Sequence, residues 1–165
     1  MAILFRLVVY GLSVWISNRY ADGSWVVGPA FAAVVLAYDW KGLKENAVRG
    51  VLFFAASTLI YALVYRITNL KWGNDSDLFE YFLGPFPIAI VIGSVLLPAA
   101  HAVLFRKPVR LALRAAALLA GSFYFVTVLG YANEEWGIGP EIPWLPILVA
   151  VWQGAYLWHF FIRKA

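Results

Sequence analysis

Long apolar stretches separated by short polar breaks run the length of the chain, and apolar positions within them do not alternate with polar ones. Six stretches stand out, at about 2–17, 24–40, 48–65, 84–105, 111–132 and 143–162. Runs such as Val51-Leu52-Phe53-Phe54-Ala55-Ala56 and Ala115-Ala116-Ala117-Leu118-Leu119-Ala120 lack the period of two that a membrane β-strand needs. Helices satisfy their own backbone hydrogen bonds in lipid, so the helical reading is the physical one. At ~1.5 Å per residue, stretches of roughly 16–22 residues reach ~24–33 Å, against a hydrocarbon core of ~30 Å. The pattern predicts an all-α polytopic bundle of six transmembrane helices. It forms a single domain over residues 1–165, with no soluble domain. The first stretch reads as a retained span, because no small-residue cleavage site precedes Asn18-Arg19-Tyr20-Ala21-Asp22-Gly23.

Composition sharpens this picture. Hydrophobic residues make up 63% of the 165 and charged residues 13%. A soluble domain carries about twice that charged fraction. An ordinary soluble globule, a disordered chain and a nucleic-acid-binding domain are thereby excluded. The chain contains no cysteine, which removes disulfides, thiol catalysis and Cys-ligated metals.

Charge placement predicts orientation. With the N-terminus inside, Arg6, Lys41, Lys44, Arg49, Arg106, Lys107, Arg110, Arg114, Arg163 and Lys164 all face the cytoplasm. Only Arg19, Arg66 and Lys71 face out. Asp39 and Glu45 are the inner acids, while Asp22, Asp75, Asp77, Glu80, Glu134, Glu135 and Glu141 are outer. The positive-inside rule then predicts N-in and C-in, in a bacterial inner membrane. Trp15, Trp25, Trp72, Trp136 and Trp144 cluster near the outer boundary, where indoles prefer to sit, and Trp152 lies deep.

No motif in the chain names an activity. No Asp, Glu or Lys falls near the middle of a span, which argues against a proton-driven pump. The deep polar residues are Ser13, Ser57, Thr58, Ser94, Ser122, Thr127 and Gln153. Such groups usually bond back to their own helix or join neighbouring helices. His101 and His159 precede the inner ends of spans four and six at similar depth. Two facing histidines could ligate haem b or bind a quinone. The plainer expectation is an interfacial imidazole whose polar edge reaches headgroups or water.

The outer acids Asp75, Asp77, Glu80, Glu134 and Glu135 are candidate ligands for a divalent cation, which wants oxygen donors. The plainer account is solubility of the outer loops. Together with Glu141, the same region offers Trp72, Tyr81, Trp136 and Trp144 as anchors of an interaction surface. Glu134, Glu135 and Trp136 read as part of a compact loop closed by Gly137, Gly139, Pro140 and Pro143. Pro98 removes a hydrogen bond inside span four and is expected to bend it. With Trp152 and Gln153 it marks a candidate cavity among spans four to six. Small residues recur at spacing four, as in Gly28/Ala32, Ala112/Ala116/Ala120, Ala117/Gly121 and Ala150/Gly154, where helices can approach closely.

Three readings follow. The first is a non-enzymatic subunit of a larger membrane complex, partnered by another membrane protein or by its own copies in the bilayer. The second is a small transporter or lipid-handling protein with a cavity among spans four to six. The third is a haem- or quinone-linked redox subunit through His101 and His159.

Overall fold

A computed structural model describes residues 2–19, 24–68, 84–136 and 144–162, and every element among them is helical. The helices are α1 (Ala2–Arg19), α2 (Ser24–Tyr38), α3 (Trp40–Glu45), α4 (Ala47–Thr68), α5 (Pro85–Leu104), α6 (Val109–Trp136) and α7 (Trp144–Leu157). A π-helical turn, Trp158–Ile162, continues α7. All but α3 fall on the six apolar stretches of the sequence. Ala47–Thr68, Pro87–Leu104 and Val109–Leu129 are long and apolar enough to cross a membrane, while Ile3–Ser17 and Val26–Tyr38 are shorter apolar helices.

Local chemistry explains the boundaries. Gly84 is the N-cap of α5 and Pro85 opens its first turn, where a missing N–H costs nothing. α5 remains helical through the buried Pro98. Its other end closes with Lys107 N–H on the Ala102 carbonyl at 2.8 Å and Arg106 N–H on Val103 at 3.4 Å. Those two bonds are a Schellman motif, which needs a left-handed residue at the position Arg106 fills with φ of 52°. Glycine usually takes that place. α6 runs four residues past its predicted end, so Asn133 to Trp136 are its last turn rather than a loop. Glu is a good helix former, so Glu134 and Glu135 do not end the helix.

Helices adjacent in sequence pack side by side, α1 on α2, α2 on α4, α4 on α5, α5 on α6 and α6 on α7. α1 also meets α7, which closes the ring. The interior is filled by Phe31 of α2, Phe53 of α4, Leu97 of α5, Leu119 of α6 and Trp152 and Tyr156 of α7. Large apolar side chains such as Val51, Leu59, Val103, Leu113 and Phe125 point outward and are exposed. A bundle apolar inside and out, built on helices of spanning length, carries the marks of a membrane protein.

Close approach and hydrogen bonding replace hydrophobic burial as the glue between such helices. A Cβ on Gly28 would stand 2.8 Å from the Thr58 Cα, so α2 and α4 need a glycine at their crossing. There Ser57 Oγ donates to the Gly28 carbonyl at 2.9 Å. Trp152 Nε1 donates to Ser94 Oγ at 3.0 Å, joining α7 to α5. Gln153 Nε2 donates to Ser17 Oγ at 3.3 Å and Tyr10 donates to the Ala150 carbonyl at 2.7 Å, joining α7 to α1. Thr58 and Ser122 bond back to Phe54 and Leu119 of their own helices. Ser57, Ser94 and Gln153 therefore join neighbouring helices and Thr58 and Ser122 bond back to their own, as their residue types suggested, while the buried Ser13 Oγ has no hydrogen-bond partner among the described residues.

Candidate functional site

The contacts gather Arg6, Lys44 and Lys107 at one end of the bundle, called here the basic pole. Arg6 of α1 meets Tyr38 at the end of α2, and Lys107 after α5 meets Asp39 just beyond α2. Asp39 occupies the N-cap position of the six-residue α3, yet its side chain makes no capping bond. An N-cap aspartate ordinarily accepts from the helix it precedes. This one turns inward. Its Oδ2 lies 3.2 Å from Lys107 Nζ and 3.4 Å from His101 Nε2. Gly42 leaves room for that turn, since a Cβ there would stand 3.0 Å from Asp39 Oδ1.

Burial pushes the Asp39 carboxyl up, but the hydrogen bond with His101 and the charge of Lys107 pull harder. The net effect holds it below the usual carboxylate range. The ionised carboxylate has no proton to give, so His101 carries one on Nε2 and donates it. His101 is 0% exposed and lies among the rings of Phe53, Phe105, Tyr156, Phe160 and Phe161. Its Nδ1 and the Tyr156 hydroxyl are buried without a hydrogen-bond partner among the described residues. The expectation of an imidazole reaching headgroups or water is thus overturned for His101. Asp39, 62 residues away in sequence, supplies the polar partner instead.

His159 is also buried, at 5% exposure, and its Nε2 donates to the Leu111 carbonyl at 3.0 Å. The two histidines share the basic pole, and Phe160 touches both rings, at 4.7 Å from His101 and 5.6 Å from His159. Each Nε2 is committed to a group of the protein, one to a carboxylate and one to a carbonyl. The π-helical turn that carries His159, Phe160 and Phe161 lies beside the Asp39–His101 pair. The left-handed Arg106 is the neighbour of Lys107. Backbone irregularities of these kinds concentrate at functional sites.

A second feature lies within the ring of helices. An apolar cleft of about 110 Å³ opens between α2, α4, α5, α6 and α7. Val64, Ile90, Gly93, Leu97, Phe123 and Trp152 are among its walls. It includes Trp152, as the sequence suggested, but neither Pro98 nor Gln153 lines it. Gln153 faces α1, and its Oε1 is buried without a hydrogen-bond partner among the described residues. A contiguous column of rings joins cleft to pole. Trp152 meets Phe31 at 5.3 Å, Phe31 meets Tyr156 at 5.0 Å, and Tyr156 stacks on His101 at 5.9 Å.

The other predicted residues are not brought together. Trp72, Asp75, Asp77, Glu80, Tyr81 and Glu141 lie outside the described residues, as do the side chains of Glu134, Glu135, Trp136 and Trp144. Among the described residues no group of three or more His, Asp or Glu gathers around one point. Sequence reasoning missed Asp39 and Lys107, counting them only as boundary charges. The available signal was that Asp39 is one of just two acids among the ten basic residues that the charge sorting assigns to the inner side. No protein-family model matches the chain, and neither does any curated protein or solved structure.

Proposed function

We propose that the chain is a six-span protein of a bacterial inner membrane, with both termini on the cytoplasmic, basic side. In this reading it is a lipid-handling protein that holds one apolar chain between its helices. The observation that carries it is the cleft lined by Val64, Ile90, Gly93, Leu97, Phe123 and Trp152. Apolar cavities of on the order of 150 Å³ stay dry and accept hydrocarbon guests. The cleft presents no charge, so binding there rests on shape and hydrocarbon contact rather than on catalysis. The ring column from Trp152 to His101 runs from the cleft to the buried Asp39–His101 pair.

Native mass spectrometry from mild detergent tests this reading. Wild-type protein should retain one hydrocarbon-bearing adduct, and Ile90→Trp, which fills the cleft, should lose it while remaining folded. Equal retention by both proteins would sink the proposal.

A second reading, a subunit within a larger assembly or an oligomer of this chain, draws on the face carrying Ala117 and Gly121. Both are exposed on α6, and a Cβ on Gly121 would meet nothing within 4 Å. Surfaces of this kind let a neighbouring helix approach closely. A stoichiometric membrane partner in the same mass spectra would favour it.

A further inference from the structure

Arg6 is the only cation of α1 near the basic pole, and it is placed with care. One guanidinium N–H donates to the Tyr38 carbonyl at 3.3 Å. The guanidinium also lies over the Tyr38 ring at 5.3 Å, and that ring is backed by Phe161 at 5.8 Å. Among the described residues a fork with five donors thus has one protein acceptor and one ring face. No described carboxylate pairs with it. Asp39, the next residue after Tyr38, has turned inward and spends its charge on Lys107 and His101.

Beside Arg6 lies a cleft of about 230 Å³ lined by Phe5, Arg6, Ala37 and Trp40. Its chemistry is graded. Phe5 and Ala37 offer hydrocarbon on the side of the spans. Trp40, 52% exposed, stands at the helix boundary with Lys44 Nζ 5.5 Å from its ring. Lys41 is exposed next to it. An indole at the end of a span marks headgroup depth. Among the described residues no carboxylate pairs with this half-buried cation, and at that depth, next to an open apolar wall, the complementary ligand is an anion that carries hydrocarbon.

We propose that this cleft is a binding site for one anionic phospholipid, with the phosphate on Arg6 and an acyl chain along Phe5 and Ala37. Arginine suits the role because its planar fork binds phosphate through two parallel bonds. The hydrocarbon walls, and not the charge alone, make the occupant a lipid rather than a free phosphate. The site is separate from the cleft between the spans and stands whether or not that one binds a chain.

The test compares purified wild type, Arg6→Gln, Ala37→Trp and Arg110→Gln, each titrated with dioleoyl phosphatidylglycerol or dioleoyl phosphatidylcholine and read by native mass spectrometry. Ala37→Trp fills the cleft while keeping every charge. Arg110→Gln removes an exposed basic residue from the same pole. Wild type and Arg110→Gln should bind the first phosphatidylglycerol about tenfold more tightly than phosphatidylcholine, the scale of one charge-assisted pair. Arg6→Gln and Ala37→Trp should lose that preference. Glycerol phosphate should bind none of them measurably. Preference retained by Ala37→Trp, or lost equally in Arg110→Gln, would show diffuse attraction by the pole and overturn the site. Tight binding of glycerol phosphate would assign the cleft to a soluble phosphate and overturn the lipid. Should Arg6→Gln fail to fold, the Ala37→Trp and Arg110→Gln comparison decides alone.

Discussion

Asp39 meets His101 across 62 residues of sequence, with Oδ2 3.4 Å from Nε2, and thereby pins the end of α2 to the last turn of α5. Lys107 caps the same oxygen from the bundle end at 3.2 Å. The two partners differ in what their loss should do. His101 is buried and would keep an unpaired donor, whereas the Lys107 side chain is 30% exposed and can turn to water.

Removing the carboxylate should therefore cost more than removing the lysine. Asp39→Ala should lower stability by about 2 kcal/mol, the scale of a buried donor left unsatisfied. Lys107→Gln should cost no more than about 1 kcal/mol, as for a solvent-screened pair. The double change Asp39→Leu with His101→Leu should recover part of the loss, since an apolar pair needs no partners. Thermal unfolding in one detergent ranks all three. A larger loss in Lys107→Gln than in Asp39→Ala would refute the assignment.

The same carboxylate sets a pH dependence. Its folded pKa lies below the usual 3.8. A depressed folded value gives stability that is complete above the unfolded pKa and lost as pH falls through the folded one. The melting difference between wild type and Asp39→Asn should stay level from about pH 7 to 5 and shrink below about pH 4. Taking the difference cancels the other acids. A gap that widens in acid would reverse the sign.

Two glycines of similar setting in sequence should respond oppositely. Gly28→Ala puts a Cβ 2.8 Å from backbone of α4 and 2.9 Å from the Ser57 carbonyl oxygen. Forcing that crossing apart should cost about 1–3 kcal/mol. Gly121→Ala meets open space and should be neutral or gain about 0.5–1 kcal/mol from helix propensity. Melting temperatures of the two variants check this. Equal tolerance at both positions would mean that α2 and α4 pack more loosely than the geometry shows.

Arg106 holds a left-handed φ of 52° that glycine adopts freely. The conformation costs an ordinary residue about 1–2 kcal/mol, offset in part by the extra chain entropy of glycine. Arg106→Gly should raise stability by about 0.5 kcal/mol. A clear loss in the unfolding temperature would show that the arginine side chain contributes more than its backbone costs.

Orientation is open to reporters. A cytoplasm-active fusion after Ala165 should give signal, and an insertion at 138–140 should behave as extracytoplasmic. The reverse pattern would overturn the charge sorting behind the N-in, C-in proposal.

Helix content and helix placement were legible because lipid and core impose the same simple demand on a segment. It must be apolar for long enough and satisfy its own backbone, and that is a local property of consecutive residues such as Val51 to Ala56. Helix ends were legible where a residue blocks the backbone outright, as Gly84 and Pro85 do at α5. They were misread where only polarity marked them, since Glu134 and Glu135 continue α6 without difficulty. The hydroxyls of Ser57 and Ser94 joined neighbouring helices and those of Thr58 and Ser122 bonded back to their own, the two outcomes open to a deep hydroxyl. Which partner Ser57 and Ser94 would find across a helix interface was not local information.

The same limit hid the basic pole. In sequence, Asp39 and Lys107 are boundary charges and His101 is an interfacial ring; folding puts all three around one buried oxygen. Gln153 and Trp152 are adjacent in the chain, yet helical geometry turns one toward Ser17 of α1 and the other toward Ser94 of α5. A turn of about 100° per residue separates neighbours onto different faces. What each face then meets depends on how the ring of helices closes, and that is decided by close approaches such as Gly28 against Thr58 rather than by any run of residues.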